Sequence, residues 1–143
     1  MRIAPIALLV GSLVAAACDD SDINLIIPPP PFGTFILRTA NGRALPAVIA
    51  DSVNPPLRIE VLSGSITLNN NSTFSDITDF RQTLAGVVTT RSVVCSGTFT
   101  VAGNLITFQE AVLPNGCGGT FTGVLTGNRL EASIRGVPAV YVR

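Results

Sequence analysis

Asp76 and Asp79, in the run Asp-Ile-Thr-Asp, are the closest carboxylates beyond residue 32. A carboxylate pair is also the main acid–base device that this composition leaves open, as in glycoside hydrolysis, where two carboxyl groups flank the scissile bond. The chain has no histidine, and its basic residues are all arginines, with no lysine. Ser-His-Asp and Cys-His nucleophile systems are therefore unavailable, as are Schiff bases and zinc sites built on imidazole. On a regular strand a spacing of three puts side chains on opposite faces. The two aspartates are accordingly read as solvated or turn-capping acids, the ordinary lot of an aspartate. No EF-hand ladder, P-loop or strand-following G-x-G-x-x-G is present. The residues point to no enzyme, no metal site and no cofactor.

The three cysteines are the other reactive groups. Cys18 sits in "LVAAACDDSD", between an apolar run and a cluster of acids. Upstream, Met1-Arg2 supplies one positive charge, and Ile3 to Ala17 carry none. This is the layout of a secretory signal peptide over residues 1–17, too short for the roughly 20 apolar residues of a spanning helix. Ala15-Ala16-Ala17-Cys18 resembles the lipobox of bacterial lipoproteins. That resemblance implies cleavage before Cys18 and a diacylglyceryl group on its sulfur; the alternative is an ordinary export signal with an incidental cysteine. Each buried acyl CH₂ adds about 0.8 kcal/mol, so several chains on one cysteine would hold the protein on a bilayer. The expected location is the cell envelope, lipid-anchored to a bacterial membrane and facing periplasm or exterior.

If Cys18 is lipidated, Cys95 and Cys117 remain as an even pair in an exported protein, which predicts a disulfide. Residues 18–32 show no helical or strand period, and Pro28 to Pro31 favour extended polyproline II. They are read as a lipid anchor and tether. Residues 33–143 are then a single domain. Beyond residue 17 the acids and arginines nearly balance, so no field is implied that would gather nucleic acid.

Two hairpins give the clearest local signals, "SGTFTVAGNLITF" and "GGTFTGVLTGNRLEA". A two-residue turn at Gly103-Asn104 pairs Val101 with Ile106 and Phe99 with Phe108 on one face, and Thr100 with Thr107 on the other. A turn at Gly127-Asn128 pairs Leu125 with Leu130, Gly123 with Ala132 and Phe121 with Ile134, leaving Thr122 with Ser133 and Val124 with Glu131 outside. A slip of one residue would scramble both sets. Cys95 shares the parity of Phe99 and Cys117 that of Phe121, so both sulfurs lean to one side of the sheet. Gly116, Gly118 and Gly119 give the loop between them room to close. Further strands are expected at 33–39, at 57–68 with a bulge at Gly64, at 73–83, at 87–94, and in 136–143, where Pro138 marks a strand start or edge. The sum is an all-β domain, an antiparallel up-and-down meander closing as a small eight-stranded barrel, with a β-sandwich as the alternative.

The order "GTFIL", "NGRALP", "SGSITL", "SGTFTVAGNLITF", "GTFTGVLTGNRLEA" and "AVYVR" resembles the short lipocalin-like lipoproteins of bacteria over nearly all of residues 33–143. Gly33-Thr34-Phe35 stands where lipocalins carry Gly-x-Trp. The resemblance implies an eight-stranded barrel able to bind an apolar molecule. The inward set is expected to be Phe35, Leu37, Ile59, Val61, Phe99, Val101, Ile106, Phe108, Phe121, Leu125, Leu130 and Ile134, which holds no charge to orient a polar substrate. Its phenylalanines argue for a filled interior. The small pair Gly123 and Ala132 marks either a gap or room for a neighbouring phenylalanine. Two functions follow: a carrier with a small apolar site near one mouth, its residues unspecified, or an interaction module serving an envelope protein or a secreted hydrolase. The partners expected are the membrane, through the anchor, and either that ligand or that protein, but not nucleic acid.

Overall fold

The computed structural model describes residues 30–112 and 117–143. The segment read above as a signal peptide, Cys18 and most of the segment read as a tether lie outside the described residues. Ten antiparallel strands follow in order: β1 (Gly33–Ala40), β2 (Arg43–Ala44), β3 (Ala47–Val53), β4 (Pro56–Leu68), β5 (Thr73–Leu84), β6 (Val87–Ala102), β7 (Leu105–Glu110), β8 (Gly119–Thr126), β9 (Arg129–Ile134) and β10 (Val137–Val142). From β4 to β10 each strand pairs with the next. β1 then closes the ring, pairing with β10 through Leu37 and Tyr141 and with β4 through Phe35 and Ile66. The result is an eight-stranded barrel of lipocalin-compatible architecture, with β2 and β3 inserted beside it. A sheet that closes on itself rules out the sandwich.

Both hairpins have the registers that their alternation dictates. Phe99 faces Phe108 and Val101 faces Ile106; Leu125 faces Leu130 and Gly123 faces Ala132. At the turns, Gly103 and Gly127 take φ of 63° and 61°, a region open to glycine at no steric cost. The bulge in β4 differs from expectation. It falls between Val61 and Ser63, at Leu62, whereas Gly64 keeps its place opposite Thr78. The reason is parity: Ile59 and Val61 are odd, Ile66 and Leu68 even, and an extra residue between the two pairs lets both face the core. Gly64 is instead a close-packing position, where a Cβ would lie 3.1 Å from Leu37 Cδ2. The strands β2 and β3 escape the sequence reading because Pro46 interrupts the run and Asp51-Ser52 break its apolar alternation.

Of the expected inward set, Phe35, Leu37, Val61, Phe99, Ile106, Phe108 and Leu130 are buried, and Ile59, Phe121 and Leu125 pack partly buried against them. Ile66, Leu68, Phe74, Phe80 and Tyr141 complete the core. Val101 is a correction: it lies at the barrel rim and is 46% exposed. Only the backbone of Ile134 is described, paired with Val137. β4, β5 and β6 run well past one end of the barrel, where β3 joins them in a four-stranded wall. On the wall's outer face Glu60 receives hydrogen bonds from Arg81 (2.7 Å) and Arg58 (3.2 Å). The bond from Arg81 holds its carboxyl below the ordinary carboxylate range.

Candidate functional site

The middle of the barrel is occupied by aromatic rings. Phe108 stacks on Phe121 at 4.5 Å between centroids, and Phe74 meets Phe108 edge-on at 5.1 Å, the offset and T-shaped geometries that aromatic quadrupoles favour. The small pair Gly123 and Ala132 leaves no gap inside the barrel, where a Cβ on Gly123 would lie 2.9 Å from Leu130 Cδ1. A neighbouring side chain has taken the room that the glycine provides, and it is a leucine.

One mouth carries a pocket of about 250 Å³, lined by Pro30, Pro31, Val101 and Leu125 with the turn residues Gly103, Asn104 and Gly127. Arg143 fastens the segment that forms one side of it. The guanidinium donates from Nη1 to the carbonyls of Pro30 (3.2 Å) and Phe32 (2.6 Å), and it lies 5.3 Å above the Phe35 ring, within cation–π range. Pro30 and Phe32 are thereby held at the barrel mouth. No charged side chain lines this pocket, so what it offers chemically is apolar contact.

The opposite end holds the ionisable groups. Asp76 lies on the same face of β5 as Phe74, Thr78 and Phe80 and is partly buried, which corrects its reading as a solvated acid. Burial pushes its carboxyl up to about 6; Glu110 adds to the rise, while the Thr78 hydroxyl and Arg135 oppose it. Tyr141 is raised far above the ordinary phenol value, first by burial and then by the charge of Asp76. Asp79 does point to the other face, where Ser63 and Ser92 donate to its two oxygens and lower its pKa. The two aspartates therefore do not converge on one substrate position. Asp76 was missed as an interior group although its parity with Phe74 and Phe80 was visible, because an aspartate is by default placed in water.

Cys95 and Cys117 form a disulfide at this end, with Cα atoms 5.7 Å apart. Arg135 Nη2 lies 3.6 Å from Cys95 Sγ, and the backbone N–H of Gly118 donates to Glu110 at 3.0 Å. The groups here secure a loop and a strand end to the barrel, and none of the pockets described includes Asp76. Among the described residues, no three His, Cys, Asp or Glu side chains come together to hold a metal ion. No protein family, curated protein or solved structure matches this chain.

Proposed function

We propose that the chain is a membrane-anchored envelope lipoprotein, tethered through Cys18, whose barrel is a filled, non-enzymatic interaction module. The observation that supports it is the packing of Phe74, Phe108 and Phe121 from β5, β7 and β8 into the core: a barrel whose interior is occupied by its own rings presents surfaces rather than a cup. Export and anchoring rest on the apolar run ending in Ala15-Ala16-Ala17-Cys18.

The apolar pocket beside Pro30, Val101 and Leu125 favours a second reading, in which a short apolar group is held at that mouth. A polar metabolite would leave its own groups unpaired there at about 1 to 3 kcal/mol each. Native mass spectrometry of the protein from its own membrane, before and after organic extraction, separates the two. A clean apo mass with an acylated peptide beginning at Cys18, together with a specific crosslinked protein, is the expected result. A lipid released in stoichiometric amount would convert the module into a carrier, and an unmodified mature start elsewhere would remove the anchor.

A further inference from the structure

β6 is sixteen residues long, but β7 covers only its second part, from Gly97 onward. Over Val87 to Ser92 the strand pairs with β5 on one side, and among the described residues nothing pairs with the other. The direction of the free groups follows from bonds elsewhere in the strand. Ser96 O accepts from Ala111 N on the β7 side at 2.8 Å, whereas Phe99 N donates to Ser72 O in the turn before β5. Because backbone direction alternates along a strand, Val88, Thr90 and Ser92 aim both N–H and C=O away from β5. The wall's other edge, β3, carries a bulge between Val48 and Ala50 and an aspartate at position 51, two devices that blunt an edge against pairing. Residues 87–92 have no bulge, no proline and no acid, and Arg91 is their single charge. Their residues are mostly β-branched and all exposed, with Val87 at 65% and Val88 at 58%.

We propose that this edge pairs antiparallel with the same edge of a second copy of the chain, with Thr90 on the two-fold axis. The facing N–H and C=O groups fix the parity, because the outward-directed residues of one copy must meet those of the other. With Thr90 on the axis, Thr90 faces Thr90, Val88 faces Ser92, Val87 faces Val93 and Thr89 faces Arg91. The Thr90 and Val87–Val93 pairs are of the hydroxyl and apolar kinds that stabilise a sheet, and each Arg91 meets a threonine rather than another charge. Moving the axis one residue onward, to position 91, would set Arg91 directly opposite Arg91, a like-charge pair that disfavours that register. Such a contact is isologous and closed, so it stops at two copies. The formal net charge of zero opposes neither approach nor docking. The three facing backbone pairs supply about six main-chain hydrogen bonds and join two four-stranded walls into one continuous sheet. This inference does not rest on anchoring or on the mouth pocket.

The test is sedimentation of the purified full-length chain in a non-ionic detergent over a wide concentration range, alongside Thr90→Pro and Thr90→Cys. Wild type should form dimers. Proline at an outward-directed N–H leaves the β5 ladder intact, so Thr90→Pro should weaken the dimer by about tenfold or more while unfolding at nearly the wild-type temperature. If that variant fails to fold, Thr90→Lys serves as the edge-blocking substitution instead. Thr90→Cys should oxidise to a 90–90 crosslink, identified by mass spectrometry. A chain that stays monomeric at every concentration, a dimer unaffected by the edge substitutions, open-ended oligomers, or a crosslink from position 90 to some other site would each overturn the proposal.

Discussion

Asp76 stands directly opposite Cys95 in the β5–β6 ladder, so the acid of β5 that faces the barrel interior sits beside the disulfide. The same end gathers Glu110, Arg135 and Tyr141 around it. The two ends of the barrel thus differ in kind: one carries an apolar pocket beside Pro30 and Pro31, the other is polar, covalently closed and extended by the wall.

The raised carboxyl of Asp76 makes stability depend on pH in a definite direction. Its folded value of about 6 lies above the ordinary one, so between them the folded chain binds more protons than the unfolded one. Stability is favoured below that window and lost as pH rises through it, by about 2 to 3 kcal/mol. Asp76→Asn should therefore be more stable than wild type near pH 7.5, with the two converging near pH 4. Glu60 and Asp79, with lowered values, act in the opposite sense, but their contributions cancel in the comparison. Thermal unfolding of both proteins across this range checks it; an equal difference at both pH values would mean that the buried charge carries no cost.

The Cys95–Cys117 bond closes a loop with a sequence separation of 22. On the chain-entropy account, removing it costs about 3 kcal/mol. Cys95→Ala with Cys117→Ala should show that loss in urea denaturation, and reduction of the wild type should reproduce it. The barrel itself should persist, because β6 and β7 remain zipped from Gly97 to Leu105. No change on reduction would show that the thiols are not joined in the purified protein.

Much of this architecture is legible in the sequence because alternation and turn chemistry agree. Phe99, Val101, Ile106 and Phe108 announce one hairpin, and Leu125 and Leu130 the other, each around a Gly-Asn turn. The alternation does not reveal where the barrel ends, which is why Val101 has the parity of a core residue and yet lies at the rim. Nor does it show the difference between an aspartate in water and one drawn inside by its strand, as Asp76 is. β2 and β3 are silent because β2 is only two residues long and β3 is broken by a bulge between Val48 and Ala50 and by Asp51-Ser52, so neither shows a clean alternation. The open edge of β6 depends on where β7 stops, a fact of topology that no local pattern in "VVTTRSVV" contains.

Gly97 offers the sharpest test of how tightly the barrel is wound. It faces Glu110 on β7 and Phe74 on β5, and a Cβ built on it would fall 2.0 Å from the carbonyl oxygen of Gln109 and 2.9 Å from the Cα of Glu110. Both obstacles are backbone, so no side chain can rotate away. The strands would have to part just where β7 ends and the disulfide loop begins. Gly97→Ala should consequently cost about 3 kcal/mol or more, beyond the usual penalty of overpacking by one methyl, and it should shift the Cys95–Cys117 loop with it. Gly103→Ala serves as the comparison: its φ of 63° makes alanine strained there, but nothing lies within 4 Å of the added atom, so its loss should be nearer 1 kcal/mol. Denaturant unfolding of the two variants side by side decides the matter. A Gly97 variant as stable as the Gly103 variant would mean that β6 and β7 do not approach as closely as described.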